Sequence, residues 1–384
     1  MVLKLKRYLS FVFTLVILFG GNVFGTKFER KIFNVLSKEK SQENLIFSPI
    51  SIEVALALGY FATRGDTRRE IGDLLDLQTD SSVVEKTYDN LIDGASEKYN
   101  MSIVNKIWLK NSLEVRSRFQ EIAKRSFNSE VSNVDFGDSA KVVDDINSWI
   151  DEATHHTIQD VISKDAVNQN TLLVLLNAVY FKGQWENTFK LFKKPGRFYN
   201  HGQTIVPVNQ MSTSRNILYG ELKEIDAVAV EIPYKTNGLS MLILLPKETN
   251  GLPDMEDKLA SLDVLELVKN RLFHRTIKVI LPKFTINSDM DLVRVLSKVG
   301  VHKIFTSSAD FSGLLSDSDD RAKVSSAKHT AFIEVNEVGT EASASTRIHV
   351  MAVSSSDKFT VDHPFIYLIK DQEKIYFMGH VVEL

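Results

Sequence analysis

The residues that could carry chemistry are few, and their spacing argues against an enzyme. Ser48 and Ser51 lie close together in Asn44-Leu45-Ile46-Phe47-Ser48-Pro49-Ile50-Ser51-Ile52, but no Gly-x-Ser-x-Gly elbow occurs to expose a serine nucleophile. His155 and His156 are adjacent, so they point to different sides of a helix or strand. No His-Glu-x-x-His spacing accompanies them to hold a metal. Arg64-Gly65-Asp66 offers an adhesion tripeptide. Gly65 reads more simply as a turn, followed by a Thr67-Arg68-Arg69-Glu70 capping box that opens the next helix. Asn100-Met101-Ser102 is the only Asn-x-Ser/Thr sequon, which makes Asn100 the candidate glycosylation site of a secreted chain. No cofactor motif is present.

The elements that would position any site point to a segment near the carboxy terminus. From Thr340 every second residue is small or apolar: Thr340, Ala342, Ala344, Thr346, Ile348, Val350, Ala352. The alternate set begins Glu341, Ser343, Ser345, Arg347, His349. Period-two patterning is the mark of a strand with one buried and one wet face. Yet Ala331–Val335 before it and Phe365–Ile369 after it already read as strands. A loop running from Gly339 to Lys358 would be far longer than most connections in compact domains. A long loop patterned as a strand reads as a segment with two states.

The motifs around this segment resemble the serpin family. Glu337-Val338-Gly339-Thr340-Glu341-Ala342-Ser343-Ala344 is similar to the serpin hinge, with Val338 departing from the usual glutamate. Phe359-Thr360-Val361-Asp362-His363-Pro364-Phe365-Ile366-Tyr367 resembles the family's carboxy-terminal signature. Asn44 to Ile52 resembles Asn-x-x-x-Ser-Pro-x-Ser-Ile. Thr171 to Trp185 resembles the central strand Val-Asn-Ala-x-Tyr-Phe-Lys-Gly-x-Trp, with Leu176 in place of the valine, and Leu281-Pro282-Lys283-Phe284 the Leu-Pro-Lys-(Phe/Leu) element. The resemblance extends over nearly the whole chain after residue 26. It implies an α+β serpin fold of three β-sheets and about nine helices. An exposed reactive-centre loop at about 339–358 would be able to insert into the large sheet.

The remaining readings concern compartment and class. Lys4, Lys6 and Arg7 precede an almost wholly apolar run from Tyr8 to Phe19, the layout of a secretory signal peptide, with a cut expected after Gly25. That run is about a dozen residues, whereas a membrane span needs roughly twenty. Residues 26–384 then form one domain, expected to be secreted and extracellular, with no membrane association. At 43% hydrophobic and 25% charged it is ordinary for a globular protein. A net charge of −3 argues against nucleic-acid binding, which needs a basic surface. With no cysteine, stability must come from a large core. Phe28 to Leu36, Phe119 to Phe127 and Ala140 to Ala153 read as helices. Thr171 to Trp185 reads as one buried strand and Thr276 to Ile286 as another.

By the resemblance, Ser48, Ser51, Asn177 and His329 form a "shutter" cluster beneath the sheet. Trp185 sits in the "breach" where the loop begins to enter, and Lys283 pairs with Glu337. The implied activity is suicide inhibition of a serine protease through a covalent acyl complex, with the hinge residues Glu337, Gly339, Thr340, Glu341, Ala342, Ser343, Ala344, Ser345 and Thr346 leading the insertion. Family spacing places the scissile bond fourteen residues after Gly339 and eleven before Pro364, and both counts end at Val353, giving Val353–Ser354. Valine suits a shallow primary pocket of the elastase or subtilisin type. A cut after Met351 by a chymotrypsin-like enzyme is the rival, and Arg347 lies too near the hinge to be more than a substrate site. A non-inhibitory carrier or storage serpin is the alternative. The protein is expected to be a monomer with a tendency to loop-sheet polymerisation, and no metal or cofactor is implied.

Overall fold

The computed structural model describes residues 27–77, 80–99, 101–154, 156–236, 238–317, 322–340 and 357–384. The expected signal peptide, Asn100, His155 and residues 341–356 lie outside the described residues. That last segment includes Glu341, Ala342, Ser343, Ala344, Ser345, Thr346, Arg347, Met351, Val353 and Ser354.

Nine α-helices occur among the described residues: α1 Lys27–Glu39, α2 Pro49–Ala62, α3 Gly65–Leu75, α4 Ser81–Tyr99, α5 Ser117–Phe127, α6 Ser139–Ala153, α7 Leu252–Leu259, α8 Val264–Lys269 and α9 Leu292–Lys298. The strands in chain order are β1 Leu45–Phe47, β2 Met101–Lys110, β3 Ser129–Val134, β4 Leu173–Phe181, β5 Gly183–Gln184, β6 Lys190–Leu191, β7 Gly196–Asn200, β8 Thr204–Val208 and β9 Gln210–Leu222. They continue with β10 Ala227–Pro233, β11 Ser240–Pro246, β12 Phe273–Pro282, β13 Phe284–Asp291, β14 Val324–Val335, β15 Gly339–Thr340, β16 Asp357–Thr360, β17 Phe365–Lys370 and β18 Ile375–Val381. These form the three expected sheets. A nine-stranded sheet runs β1-β18-β17-β11-β10-β9-β12-β16 with β6 on β9, and β7 and β8 form a hairpin. The hinge belongs to the third, seven-stranded sheet, β3-β2-β4-β14-β15-β5 with β13 on β14.

Strand β4 is covered on both faces, as its near-continuous apolar run requires. Val174 and Leu176 pack with Trp108, Val142, Ile146 and Ile150 under α6. Leu173, Val179 and Phe181 join the main core on the opposite side. The helix there is α2, apolar on all sides and buried along almost its whole length, as such a helix must be. Ser48 caps it by accepting from Ser51 N at 3.2 Å, and Pro49 occupies its first turn, where a missing N–H costs nothing.

Three local expectations are corrected. Thr67 and Glu70 do not form a capping box. Helix α3 already begins at Gly65, whose φ of +54° suits glycine. Thr67 Oγ1 instead accepts from Asp310 N, and Glu70 Oε2 accepts from His302 N and Lys303 N, so both tie down a distant loop. The adhesion tripeptide is embedded in this arrangement, with the Asp66 carboxylate paired to Arg69 and Lys303. Thr276 to Ile286 is two strands, because Lys283 turns the chain from the nine-stranded sheet into the seven-stranded one and donates its N–H to Asn209 O. Thr171 to Trp185 likewise breaks at Lys182.

Candidate functional site

The site begins where β14 ends. Asn336 turns the chain: its Oδ1 accepts the N–H groups of Val338 at 3.0 Å and Gly339 at 3.2 Å, and its own N–H donates to Gly339 O. This is an asparagine-stabilised turn. It returns Gly339–Thr340 alongside β14, where Thr340 pairs antiparallel with Val335. On the other side the same two residues pair antiparallel with β5, Gly339 with Gln184 and Thr340 with Gly183. Thus β15 stands between two walls. The approach is so close that a Cβ on Gly339 would lie 2.1 Å from Gly183 O, so glycine is demanded by contact.

Aromatic packing holds this end of the sheet. Trp185 is buried, stacks on Tyr234 at 4.5 Å and donates its indole N–H to Asn336 O at 2.9 Å. Its backbone N–H donates to Val338 O, and Phe189 N donates to Glu337 O. Lys283 Nζ lies 2.9 Å from Glu337 Oε2, each side chain about a third exposed or less than that. Partial burial pushes the Glu337 carboxyl up. Hydrogen bonds from Lys283 and the backbone, with the ammonium charge, outweigh it and hold the group below its ordinary value.

Beyond β15 the walls meet. Strands β4 and β14 run parallel and pair directly, from Leu173 with Val324 to Val179 with Ala331. Midway along this seam His329 pairs in register with Asn177. His329 Nδ1 lies 2.6 Å from Asn177 Oδ1, and His329 Nε2 accepts from Ser48 N at 3.0 Å. The Asn177 amide donates to Ser51 Oγ at 2.6 Å, to Ser51 O at 3.1 Å and to Asn105 Oδ1 at 2.8 Å. Burial lowers the His329 pKa to about 3, so the ring is neutral at physiological pH. The cluster joins α2 to both strands of the seam. Neither serine has a base arranged to take its proton: His329 meets the Ser48 backbone, and the Ser51 hydroxyl accepts from an amide.

Residues 341–356 connect this seam to the edge of the nine-stranded sheet, where β16 pairs parallel with β12. Of the residues singled out from sequence, Ser48, Ser51, Asn177 and His329 come together at the middle of the seam. Glu337, Gly339, Thr340, Trp185 and Lys283 come together at its open end. Asn336, Tyr234 and Asn105 were missed. Asn336 had a local signal, an asparagine three residues before a glycine at the end of an apolar run. Tyr234 and Asn105 act through partners far away in sequence, and no local pattern announces them.

Residues 25–384 match the family model described as serpin (serine protease inhibitor). The chain is 32% identical over 359 residues to serine protease inhibitor 42Dd of Drosophila melanogaster, covering 92% of this chain and 95% of that protein. Serpin48 of the insect Tenebrio molitor, described as a highly specific serpin, superposes with a TM-score of 0.85 at 33% identity, covering 93% of this chain and 96% of that one. Thyroxine-binding globulin in complex with thyroxine superposes at 0.83 and 26% identity, covering 93% and 97%.

Proposed function

The chain belongs to the serpin family, and from that premise we propose that it is a suicide inhibitor of serine proteases, cut at Val353–Ser354 and resolved by insertion of its loop between β4 and β14. The observation that carries this reading is the pairing of Gly339–Thr340 on both sides, at the head of a seam that is closed below. The residues that follow carry only short side chains on every second position through Thr346. A strand of that kind can enter a packed sheet without steric penalty, whereas bulk or proline would stop it.

The protease serine attacks the Val353 carbonyl, the bond to Ser354 N breaks, and an acyl-enzyme forms with Ser354 as the new amino terminus. Residues Thr340 to Val353 then extend as a strand of about 46 Å, at ~3.3 Å per residue, carrying the acyl linkage away from where it formed. Displacing the linkage from the protease's oxyanion donors slows deacylation, since loss of one such donor already costs about 10²–10³ in rate. Valine before the cut favours elastase-like or subtilisin-like enzymes. Secretion, an amino terminus at Thr26, glycosylation at Asn100 and a monomeric state with loop-sheet polymerisation on heating belong to the same proposal. Amino-terminal sequencing and deglycosylation of the secreted product test the first three, and sizing after mild heating tests the last.

A carrier role is the second reading, because thyroxine-binding globulin shares this fold. The deciding experiment mixes the mature protein with elastase-, subtilisin-, chymotrypsin- and trypsin-type proteases. An SDS-resistant complex and a released peptide beginning at Ser354 are expected. Cleavage without any complex, and no gain in thermal stability on cleavage, would favour the carrier.

A further inference from the structure

The far end of the loop leads into a surface that the inhibitory mechanism leaves unused. On neighbouring parallel strands Lys278 of β12 and Lys358 of β16 stand directly opposite one another. Lys190 of β6 is opposite Ser212, itself opposite Ile280, so it lies two residues along the same face. The intervening residues Ile277, Val279, Phe359, Met211 and Thr213 are buried, which turns the three lysines outward. Exposed Phe192 lies beside them, its ring centroid 5.8 Å from Lys278 Nζ, and Leu191 is 51% exposed. Lys193 and Lys194 extend the same exposed segment.

Among the described residues, none of Lys190, Lys278 and Lys358 has a carboxylate within ion-pair distance, in a chain whose net charge is −3. Like charges directly opposite on paired strands destabilise a sheet, so the isolated molecule gains nothing from the Lys278–Lys358 juxtaposition. Lysine can guard an exposed sheet edge against pairing, which would account for Lys358 on β16. It does not account for Lys278 on an interior strand, nor for the exposed Phe192 ring beside it.

We propose that this face, centred on Lys278, Lys358 and Phe192, is a second docking surface for the target protease, taking an acidic patch on the protease body beside its cleft. The inference rests on the reading that a protease engages Val353–Ser354. Three residues, Ser354 to Ser356, separate Val353 from the start of β16 at Asp357, and the four steps between them span at most roughly 14 Å when fully extended. A globular protease, on the order of 30 Å or more across, cannot seat on that bond without overhanging the end of β16. The lysines therefore meet its surface early in the encounter, where complementary charge raises the association rate most.

The test compares the parent protein with K278E/K358E against two elastase- or subtilisin-type proteases, one with an acidic and one with a basic surface around the cleft. With the acidic enzyme, the second-order rate constant for complex formation is expected to fall on the order of tenfold at low salt. The difference should shrink at high salt, while the basic enzyme shows no loss. Should the chain be cut but never trapped, the inhibitory reading fails, and kcat/KM for loop cleavage then reads the docking surface by the same comparison. Unchanged rates with the acidic enzyme would overturn the inference. So would unchanged rates with increased self-association, which would make the lysines edge guards, or with lost heparin binding, which would assign the face to a sulfated polysaccharide.

Discussion

His329 and Asn177 stand side by side on neighbouring parallel strands, with Nδ1 of the ring 2.6 Å from Oδ1 of the amide. An amide oxygen cannot donate, so the ring proton sits on Nδ1. Nε2 is then the acceptor for the Ser48 N–H. The contact at Nε2 requires a neutral imidazole, because a second proton there would oppose one N–H to another.

Acid should therefore loosen the seam. The ring titrates at about 3 in the folded protein, while the unfolded chain binds that proton near the ordinary value of 6.5. Its contribution to stability is fully present above about pH 6.5 and is lost progressively as pH falls toward 3. Denaturant midpoints at pH 7.5 and 4.5 should drop less for His329→Gln than for the parent. Equal drops would show that other groups govern acid sensitivity.

Gly339→Ala should force the hinge out of its slot. The added methyl meets the Gly183 carbonyl, which is backbone and cannot swing aside. A loss on the order of 1–3 kcal/mol is expected. Disturbing Asn336 should also weaken the indole hydrogen bond of Trp185. Fluorescence should shift to the red, and the shift should vanish in a Trp185→Phe background, which leaves only Trp108 and Trp149.

Removing the Lys283 ammonium should matter little to global stability. The pair with Glu337 is partly exposed, and such pairs contribute about 0–1 kcal/mol. Lys283→Ala should lower the midpoint slightly in low salt and not measurably in high salt. A loss of several kcal/mol at any salt would mean that the lysine stem, rather than its charge, braces the hinge.

Val353→Arg should redirect the inhibitor. A trypsin-like enzyme should form the SDS-resistant complex, and the elastase- or subtilisin-type complex should decline. A trypsin cut after Arg347 with no complex would place the reactive bond elsewhere.

What sequence revealed depended on whether the constraint was local. Ser48–Pro49 is a cap followed by a first-turn proline, and the apolar run around Asn177 could only be a strand covered on both faces. Gly339 was legible as part of a motif, but the reason for it, contact with Gly183, lies across the sheet. Glu70 shows the opposite case. Its spacing from Thr67 fits a capping box, yet the helix starts two residues earlier and both side chains serve a loop more than 200 residues away. Lys283 marks the passage between two sheets. Strand periodicity continues across such a passage, so Pro282 was the only warning.

The shared direction of β4 and β14 decides the sense of any strand that enters between them. The turn at Asn336 reverses the chain, so a continuation beyond Thr340 would run against both walls. Each parallel rung surrendered along the seam would be replaced by antiparallel rungs on two sides, the pairing of greater stability per residue. If the loop inserts as proposed, the closed seam is the less connected of the two arrangements. On the inhibitory reading proposed above, its persistence before cleavage is a matter of rate, like a zip held shut at the slider by the first tooth already engaged.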